Sequence, residues 1–152
     1  MNFRERIDSI LGKALIVIMA VMVINVLWQV FTRYVVGTPS SYTDELARYL
    51  MIWIGVLGAA YVSGRNMHVA IDVIPSRSSN KTKKRLSRTV YILIILFAVC
   101  AFVIGGIRLV YLSYILGQQS PALNIPLAVV YMVIPISGLL IVFYKVSDLL
   151  KK

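Results

Sequence analysis

The sequence is poor in the residue types that build metal, haem and disulfide sites. Its 152 residues include one cysteine and one histidine. Cys100 has no second cysteine in the chain, which excludes an intrachain disulfide. With His68 as the only histidine, two histidines of one chain cannot hold a haem, and no cluster has metal-ligand spacing. The sequence therefore predicts no metal site and no cofactor.

Acidic residues are also scarce, with 6 Asp and Glu against 16 Lys and Arg and a net charge of +10. None of them lies in the central part of a long apolar run. No arrangement of nucleophile, base and orienting acid is apparent, so we expect no enzyme. A self-sufficient ion-coupled transporter usually places an ionisable group in mid-membrane. The missing central carboxylates therefore argue against a free-standing carrier.

Long apolar runs dominate what is present. The chain is 59% hydrophobic, its mean hydropathy is +0.83, and uncharged runs cover residues 14–31, 49–64, 89–107 and 126–144. A membrane-spanning helix needs about 20 mainly apolar residues. The first run is too long for the core of a secretory signal and is not followed by a cleavage site, so we expect it to remain as a helix. The sequence predicts an all-α integral membrane protein, one domain of residues 1–152, with transmembrane helices over 14–34, 44–63, 88–112 and 127–146.

The basic residues predict the orientation of these helices. If the four helices alternate, 13 of the 16 Lys and Arg residues lie on one side of the membrane. The positive-inside rule places that side, with both termini, in the cytoplasm. The basic run between the second and third spans includes Lys81, Lys83, Lys84 and Arg85. Between two membrane helices, this run is expected to contact anionic phospholipid headgroups rather than nucleic acid.

Local signals predict the ends of the helices. Apolar residues at helical spacing in residues 1–13 indicate a short amphipathic helix on the inner surface, and residues 65–76 indicate a second interfacial segment. Gly37 and Pro39 are expected to end the first helix, and Thr43 is the expected N-cap of the second. Pro135 is expected to kink the fourth helix.

The outer end of the second span carries the most informative charges. Asp44 and Glu45 lie in its first turn, where they can stabilise the helix N-terminus, and Arg48 follows Asp44 at i+4. Above a face of small residues, these three form a candidate docking surface on the outer side. The alternative is that the two acids are only helix caps.

Three further sets of residues are candidates for contacts. Trp53 with the small residues Gly55, Ala59 and Ser63 is a candidate helix-packing interface, within this chain or against a partner, because small residues let helices approach closely in lipid. Asn25 and Gln29 are expected to form interhelical hydrogen bonds, with a substrate contact as the alternative. His68 and Asp72 lie at i, i+4 at the inner end, where headgroup contact is the simplest interpretation.

Four segments together resemble a known family. They are "RY" at 33–34, "DELARYLMIWIGVLGAAY" at 44–61, "HVAID" at 68–72 and "SPALNIP" at 120–126. In this order and at this chain length they resemble the small, DctQ-type membrane subunit of tripartite ATP-independent periplasmic (TRAP) transporters. Asn124 stands where many members are expected to have glycine, and both residues suit a turn.

The resemblance implies a protein of the bacterial inner membrane with two protein partners. A periplasmic binding protein would capture an organic acid, of the sialic acid or C4-dicarboxylate type. A large membrane subunit, paired with this chain as a heterodimer, would carry the substrate and sodium sites. This chain would brace the large subunit and offer part of the docking surface. Asp44, Glu45 and Arg48 would line a surface that faces the binding protein or the large subunit, and His68 and Asp72 would form an inner structural contact.

Two other functions remain open from the sequence. A free-standing small multidrug or cation exporter would act as a homodimer, but it is expected to carry an acidic residue deep in a helix. A membrane anchor of a respiratory complex is the second alternative, without haem because histidines are lacking.

Overall fold

The computed structural model describes residues 3–38, 40–65 and 80–150 of the chain. Within these ranges, four helices are long and apolar enough to cross a membrane, and the four predicted spans each lie inside one of them. The predicted fold class of four membrane-spanning helices is confirmed. His68 and Asp72 lie outside the described residues, as do residues 66–76 of the second interfacial segment and the side chains of Lys81, Lys83 and Lys84.

Helix α1 comprises the α-helix Phe3–Phe31 and a π-helical turn at Thr32–Val36. Gly37, with φ of 74°, caps its end in the left-handed conformation that glycine adopts without strain. The prediction that Gly37 ends this helix is confirmed. The amphipathic lead-in does not form a separate helix, because the chain is helical without a break from Phe3 onwards.

Helix α2 comprises Ser41–Gly64. The prediction of Thr43 as its N-cap is wrong, because the helix begins three residues earlier with Ser40 in extended conformation as the cap residue. Thr43 Oγ1 instead donates a hydrogen bond of 2.8 Å back to the Ser40 carbonyl. Ser, Thr and Asp all suit a cap position, and the chain offers several of them in succession here.

Helices α3 and α4 both contain an interruption. Helix α3 comprises Asn80–Phe97, a π-helical segment Ala98–Ile104 and Gly105–Ile115. Helix α4 comprises Leu127–Tyr131 and Val133–Leu150, with a break at Met132. Pro135 explains the position of the break, since it has no N–H to donate to the carbonyl four residues earlier, that of Tyr131.

The helices pack in the spatial order α1, α2, α4, α3. Helix α4 contacts α2 on one side and the π-helical segment of α3 on the other. Two glycines make the contact between α3 and α4 close: a Cβ at Gly138 would lie 2.7 Å from the Phe102 Cβ, and one at Gly106 would lie 2.9 Å from the Pro135 Cδ. The buried apolar core is formed by Leu11, Leu57, Ala60, Ala98, Val133 and Ile141.

Candidate functional site

Asp44 and Arg48 lie exposed at the N-terminal end of α2. Their side chains are 60% and 71% exposed, and Arg48 Nη2 lies 3.3 Å from Asp44 Oδ2. Gln29 Nε2 of α1 donates a hydrogen bond of 3.2 Å to the other carboxylate oxygen of Asp44. An exposed pair of this kind contributes about 0–1 kcal/mol to stability. Both charges therefore remain available to a partner on this side of the membrane.

Glu45 contacts the chain segment that connects α3 to α4. Its Oε2 accepts hydrogen bonds from the backbone N–H groups of Ala122, at 2.9 Å, and Leu123, at 3.1 Å. Its Oε1 accepts a hydrogen bond of 2.8 Å from the Tyr49 hydroxyl. Asp44 and Glu45, adjacent in sequence, therefore differ in role: one is exposed and the other holds a loop.

Residues 117–126, which we call the outer loop, have a defined backbone hydrogen-bond pattern. The Ser120 N–H donates to the Ile125 carbonyl at 2.9 Å, and the Asn124 N–H donates to the Ser120 carbonyl at 3.0 Å. Asn124 has φ of +53°. Asparagine and glycine are the residues that adopt this conformation most readily, so Asn124 fits the position where the resemblance suggests glycine.

Asn25 and Gln29 both join α1 to α2. Asn25 is buried, and its Nδ2 donates a hydrogen bond of 2.7 Å to the Thr43 carbonyl. Gln29 bonds Asp44, as described above. The interpretation of these amides as interhelical hydrogen-bond donors is confirmed, and it leaves no need for a substrate contact at this position.

The predicted packing residues divide into two groups. Trp53 packs against the core, and its Nε1 donates a hydrogen bond of 3.0 Å to the Val130 carbonyl just before the break in α4. Ser63 is 2% exposed. Gly55 and Ala59 are exposed, and a Cβ at Gly55 would meet no atom within 4 Å. Within the described part of the chain, glycines make close helix contacts at Gly64, Gly106 and Gly138 instead.

The sequence interpretation missed a group of polar contacts at the end of the helices that the basic residues predict to be the inner one. We call this group the inner clamp: Arg4, Asp8, Tyr144, Lys145 and Asp148. Arg4 Nη1 lies 2.6 Å from Asp148 Oδ1, and Arg4 also donates to the Gly64 carbonyl. The Tyr144 hydroxyl donates to the Asp8 carboxylate. Lys145 is fully buried and donates a hydrogen bond of 2.9 Å to the Ser63 carbonyl.

The inner clamp joins three of the helices through buried or half-buried charges. Asp8 and Arg4 belong to α1, Lys145 and Asp148 to α4, and the two accepting carbonyls to the end of α2. One local signal in the sequence pointed to it: Lys145 and Asp148 lie at i, i+3, and their charged atoms are 3.7 Å apart. The pairing of Arg4 with Asp148 depends on the tertiary arrangement and has no local signature.

These contacts hold helices and a loop together. Among residues 3–38, 40–65 and 80–150, no three His, Cys, Asp or Glu side chains form a group that could bind a metal. The carboxylates of Asp8, Asp44, Glu45 and Asp148 all have hydrogen-bond or ion-pair partners within the chain. These four carboxylates therefore lie near the ends of the helices, where each has a structural contact.

Comparison with known proteins identifies the family. The profile described as DctQ, "Tripartite ATP-independent periplasmic transporters, DctQ component", matches residues 13–152. The chain belongs to the DctQ family. The resemblance seen in the sequence motifs is thereby confirmed.

Individual DctQ-type relatives agree with this assignment. The sialic acid TRAP transporter small permease protein SiaQ of Vibrio cholerae serotype O1 is 26% identical over 150 residues, covering 96% of this chain and 83% of SiaQ. The C4-dicarboxylate TRAP transporter small permease protein DctQ of Rhodobacter capsulatus is 33% identical over 111 residues, covering 70% of this chain and 47% of that protein. The sialic acid TRAP transporter permease protein SiaT of Haemophilus influenzae is 26% identical over 108 residues, covering 71% of this chain and 17% of SiaT.

Membership of the DctQ family fixes the general class of the protein. It is a small permease component of a TRAP transporter and a multi-pass inner-membrane protein, and it is not an enzyme. Both alternative functions, the free-standing exporter and the respiratory anchor, lose their support, because the family match covers nearly the whole chain.

Proposed function

We propose that this DctQ-type chain is the scaffolding subunit of a sodium-coupled, binding-protein-dependent TRAP transporter that imports an organic acid. It braces a large membrane subunit, which carries the transport sites, and it offers part of the surface on which the periplasmic binding protein docks. The chain itself binds neither the substrate nor sodium.

The observation that carries this proposal is the position of the acidic residues. All six lie near the ends of the apolar spans or in the segment between the second and third spans: Glu5, Asp8, Asp44, Glu45, Asp72 and Asp148. Transport sites for ions usually use ionisable groups or unwound helices near mid-membrane. The contacts of Asp8, Glu45 and Asp148 within the chain support a structural role for these carboxylates. The transport sites are then expected in another subunit.

A large permease subunit is the expected partner for this scaffold. The segment of SiaT similar to this chain is 17% of SiaT, so in that protein it is covalently joined to a much longer remainder. Helix α1 also exposes many large apolar side chains, including Ile16, Ile24 and Leu27. In a membrane, such a surface meets either lipid or an apolar partner. Gly55 and Ala59, exposed and small, are the proposed point of close contact on α2.

The proposed orientation places both termini and the inner clamp in the cytoplasm. The uneven distribution of basic residues supports it. In this orientation Asp44 and Arg48 face the periplasm, where they can contact the binding protein. Arg85 with Lys81, Lys83 and Lys84 would then meet phospholipid headgroups at the inner surface, and His68 with Asp72 would form a structural contact there.

The substrate class is an organic acid. The names of the relatives point to either a sialic acid or a C4-dicarboxylate. Substrate specificity would lie in the binding protein and the large subunit. This chain would have the same scaffolding role for either substrate.

Reconstitution in liposomes tests this division of labour. The chain, the large subunit and the binding protein are combined or omitted one at a time, with sialic acid and succinate as labelled probes and an inward sodium gradient. We expect uptake only when all three proteins and the gradient are present. Uptake by liposomes that contain this chain alone would contradict the proposal.

A further inference from the structure

We propose that Glu45 is a positioning residue: it holds the outer loop, residues 117–126, in the shape that contacts the periplasmic binding protein, and it does not contact that protein itself. This inference rests on the proposed function, since it assumes that a binding protein docks on the outer side. According to this inference, the binding protein contacts the outer loop, and the Glu45 carboxylate only holds that loop in place.

The hydrogen bonds of Glu45 are directed into the chain. One carboxylate oxygen accepts two bonds, from the N–H groups of Ala122 and Leu123, and the other accepts one from Tyr49. Ser120, 1% exposed, lies beside the same carboxylate. Hydrogen bonds to an ionised acceptor are roughly twice as strong as neutral ones. This carboxylate is therefore suited to fixing the loop and has little capacity left for a partner.

The outer loop has the features of a preformed contact surface. Its two ends are joined by the hydrogen bonds from the Leu127 N–H to the Gln118 carbonyl, at 3.0 Å, and from the Ser120 N–H to the Ile125 carbonyl, at 2.9 Å. These two bonds form the bridge between Gln119 and Pro126. The side chains that it exposes are hydrogen-bonding or apolar and carry no charge: Gln118, Gln119, Pro121, Asn124, Ile125 and Pro126. A surface that is ordered before binding avoids the entropic cost of ordering during binding.

The neighbouring acid provides a matched comparison. Asp44 is exposed, and within the described residues its carboxylate contacts the side chains of Gln29 and Arg48 and no backbone N–H. If negative charge alone guided docking, Asp44 and Glu45 should respond alike to neutralisation. If Glu45 acts through the loop, an uncharged residue with the same acceptor geometry should replace it.

Glu45→Gln and Glu45→Ala separate these two mechanisms in the assembled transporter. The glutamine carbonyl oxygen can accept from both loop amides, and its NH₂ can donate to the Tyr49 oxygen. Alanine removes all these contacts. We expect Glu45→Ala to raise the binding-protein concentration for half-maximal uptake roughly tenfold, equivalent to about 1.4 kcal/mol, with the maximal rate retained. We expect Glu45→Gln, which keeps the contacts with the loop, to stay close to the wild type.

Hydrogen exchange measured on the same complexes reports on the loop directly. The amides of Ala122 and Leu123 should be protected in the wild type and in Glu45→Gln, and they should exchange faster in Glu45→Ala. The double variant Gln118→Ala, Gln119→Ala changes the exposed surface and leaves the Glu45 contacts intact. It should raise the half-saturating concentration without altering exchange at the two amides.

Four results would overturn the inference. If Glu45→Gln and Glu45→Ala raised the half-saturating concentration equally, docking would depend on the negative charge of Glu45. Unchanged amide exchange in Glu45→Ala would show that the carboxylate does not hold the loop. Wild-type half-saturation in the double glutamine variant would remove the loop as the contact surface. Uptake by the wild type without any binding protein would remove the proposed function as well, which distinguishes that failure from the other three.

Discussion

Arg4 and Asp148, 144 positions apart in the sequence, form an ion pair in which Arg4 Nη1 lies 2.6 Å from Asp148 Oδ1. The pair joins the beginning of the first helix to the end of the last. Asp148 is 7% exposed and Arg4 19% exposed, so the pair is largely shielded from solvent. Because α1 packs chiefly on α2, this ion pair and the bond from Tyr144 to Asp8 connect α1 to α4 directly. The inner clamp therefore fixes the arrangement of the helices at one end of the chain, as the proposed scaffolding role requires.

Asp148→Asn should lower the thermal stability of the purified chain. The substitution removes the negative charge between two buried or half-buried cations, Arg4 and Lys145, at an expected cost of about 2 kcal/mol. The change is measured as a lower Tm in detergent. Asp44→Asn serves as the control, because the exposed pair of Asp44 with Arg48 contributes little. An equal Tm for the two variants would show that the inner clamp does not stabilise the fold.

Gly138→Ala should destabilise the chain, whereas Gly55→Ala should not. The new methyl group at position 138 would overlap the Phe102 Cβ, which lies 2.7 Å from that position. Overpacking of this kind costs about 1–3 kcal/mol. At position 55 nothing lies within 4 Å, so the methyl group is accommodated. Thermal unfolding of both variants checks this prediction, and a Tm for Gly138→Ala equal to that of the wild type would contradict the close contact of α3 with α4.

Gly55→Leu should weaken assembly with the large subunit and leave this chain folded. The position is open within the chain, and a leucine there would block a close helix approach from outside. The measurement is the amount of large subunit recovered with the tagged variant, relative to the wild type. Met51→Leu, an exposed position one turn earlier on α2, controls for a general effect of leucine. Full recovery with Gly55→Leu would place the interface on another face.

Cysteine labelling tests the orientation. In a Cys100→Ser background, single cysteines at Gln119 and Ser147 place a thiol at the outer loop and near the inner clamp. A membrane-impermeant thiol reagent applied to whole cells with a permeable outer membrane should label Gln119→Cys, and Ser147→Cys should react only after the inner membrane is opened. The opposite pattern would invert the topology.

Local sequence patterns predicted the features that depend on residues close together in the chain. The length and hydropathy of the apolar runs indicated four spans, Gly37 marked a helix end, and Pro135 marked the region of a break. The pair of amides in α1 was correctly interpreted as interhelical hydrogen-bond donors. Each of these predictions depends on residues within one continuous stretch of the sequence.

The features that depend on tertiary arrangement were not predicted. In a membrane helix, lipid is as apolar as the packed interior, so hydropathy does not show which face is buried. For this reason the sequence did not indicate the close contacts at Gly106 and Gly138, and the packing proposed at Gly55 and Ala59 stays a prediction. The inner clamp was missed because Arg4 and Asp148 are at opposite ends of the chain. Glu45 was assigned to the same candidate docking surface as Asp44 because the two residues are adjacent in the sequence, although their contacts differ.

The central claim is that this chain functions as a scaffold bound to a large membrane subunit. The most direct test is to tag the C-terminus, extract native membranes in mild detergent, and identify the proteins that co-purify by mass spectrometry. Our account predicts one large polytopic protein in near-equal molar amount. Recovery of the chain alone, or only in association with itself, would contradict the account.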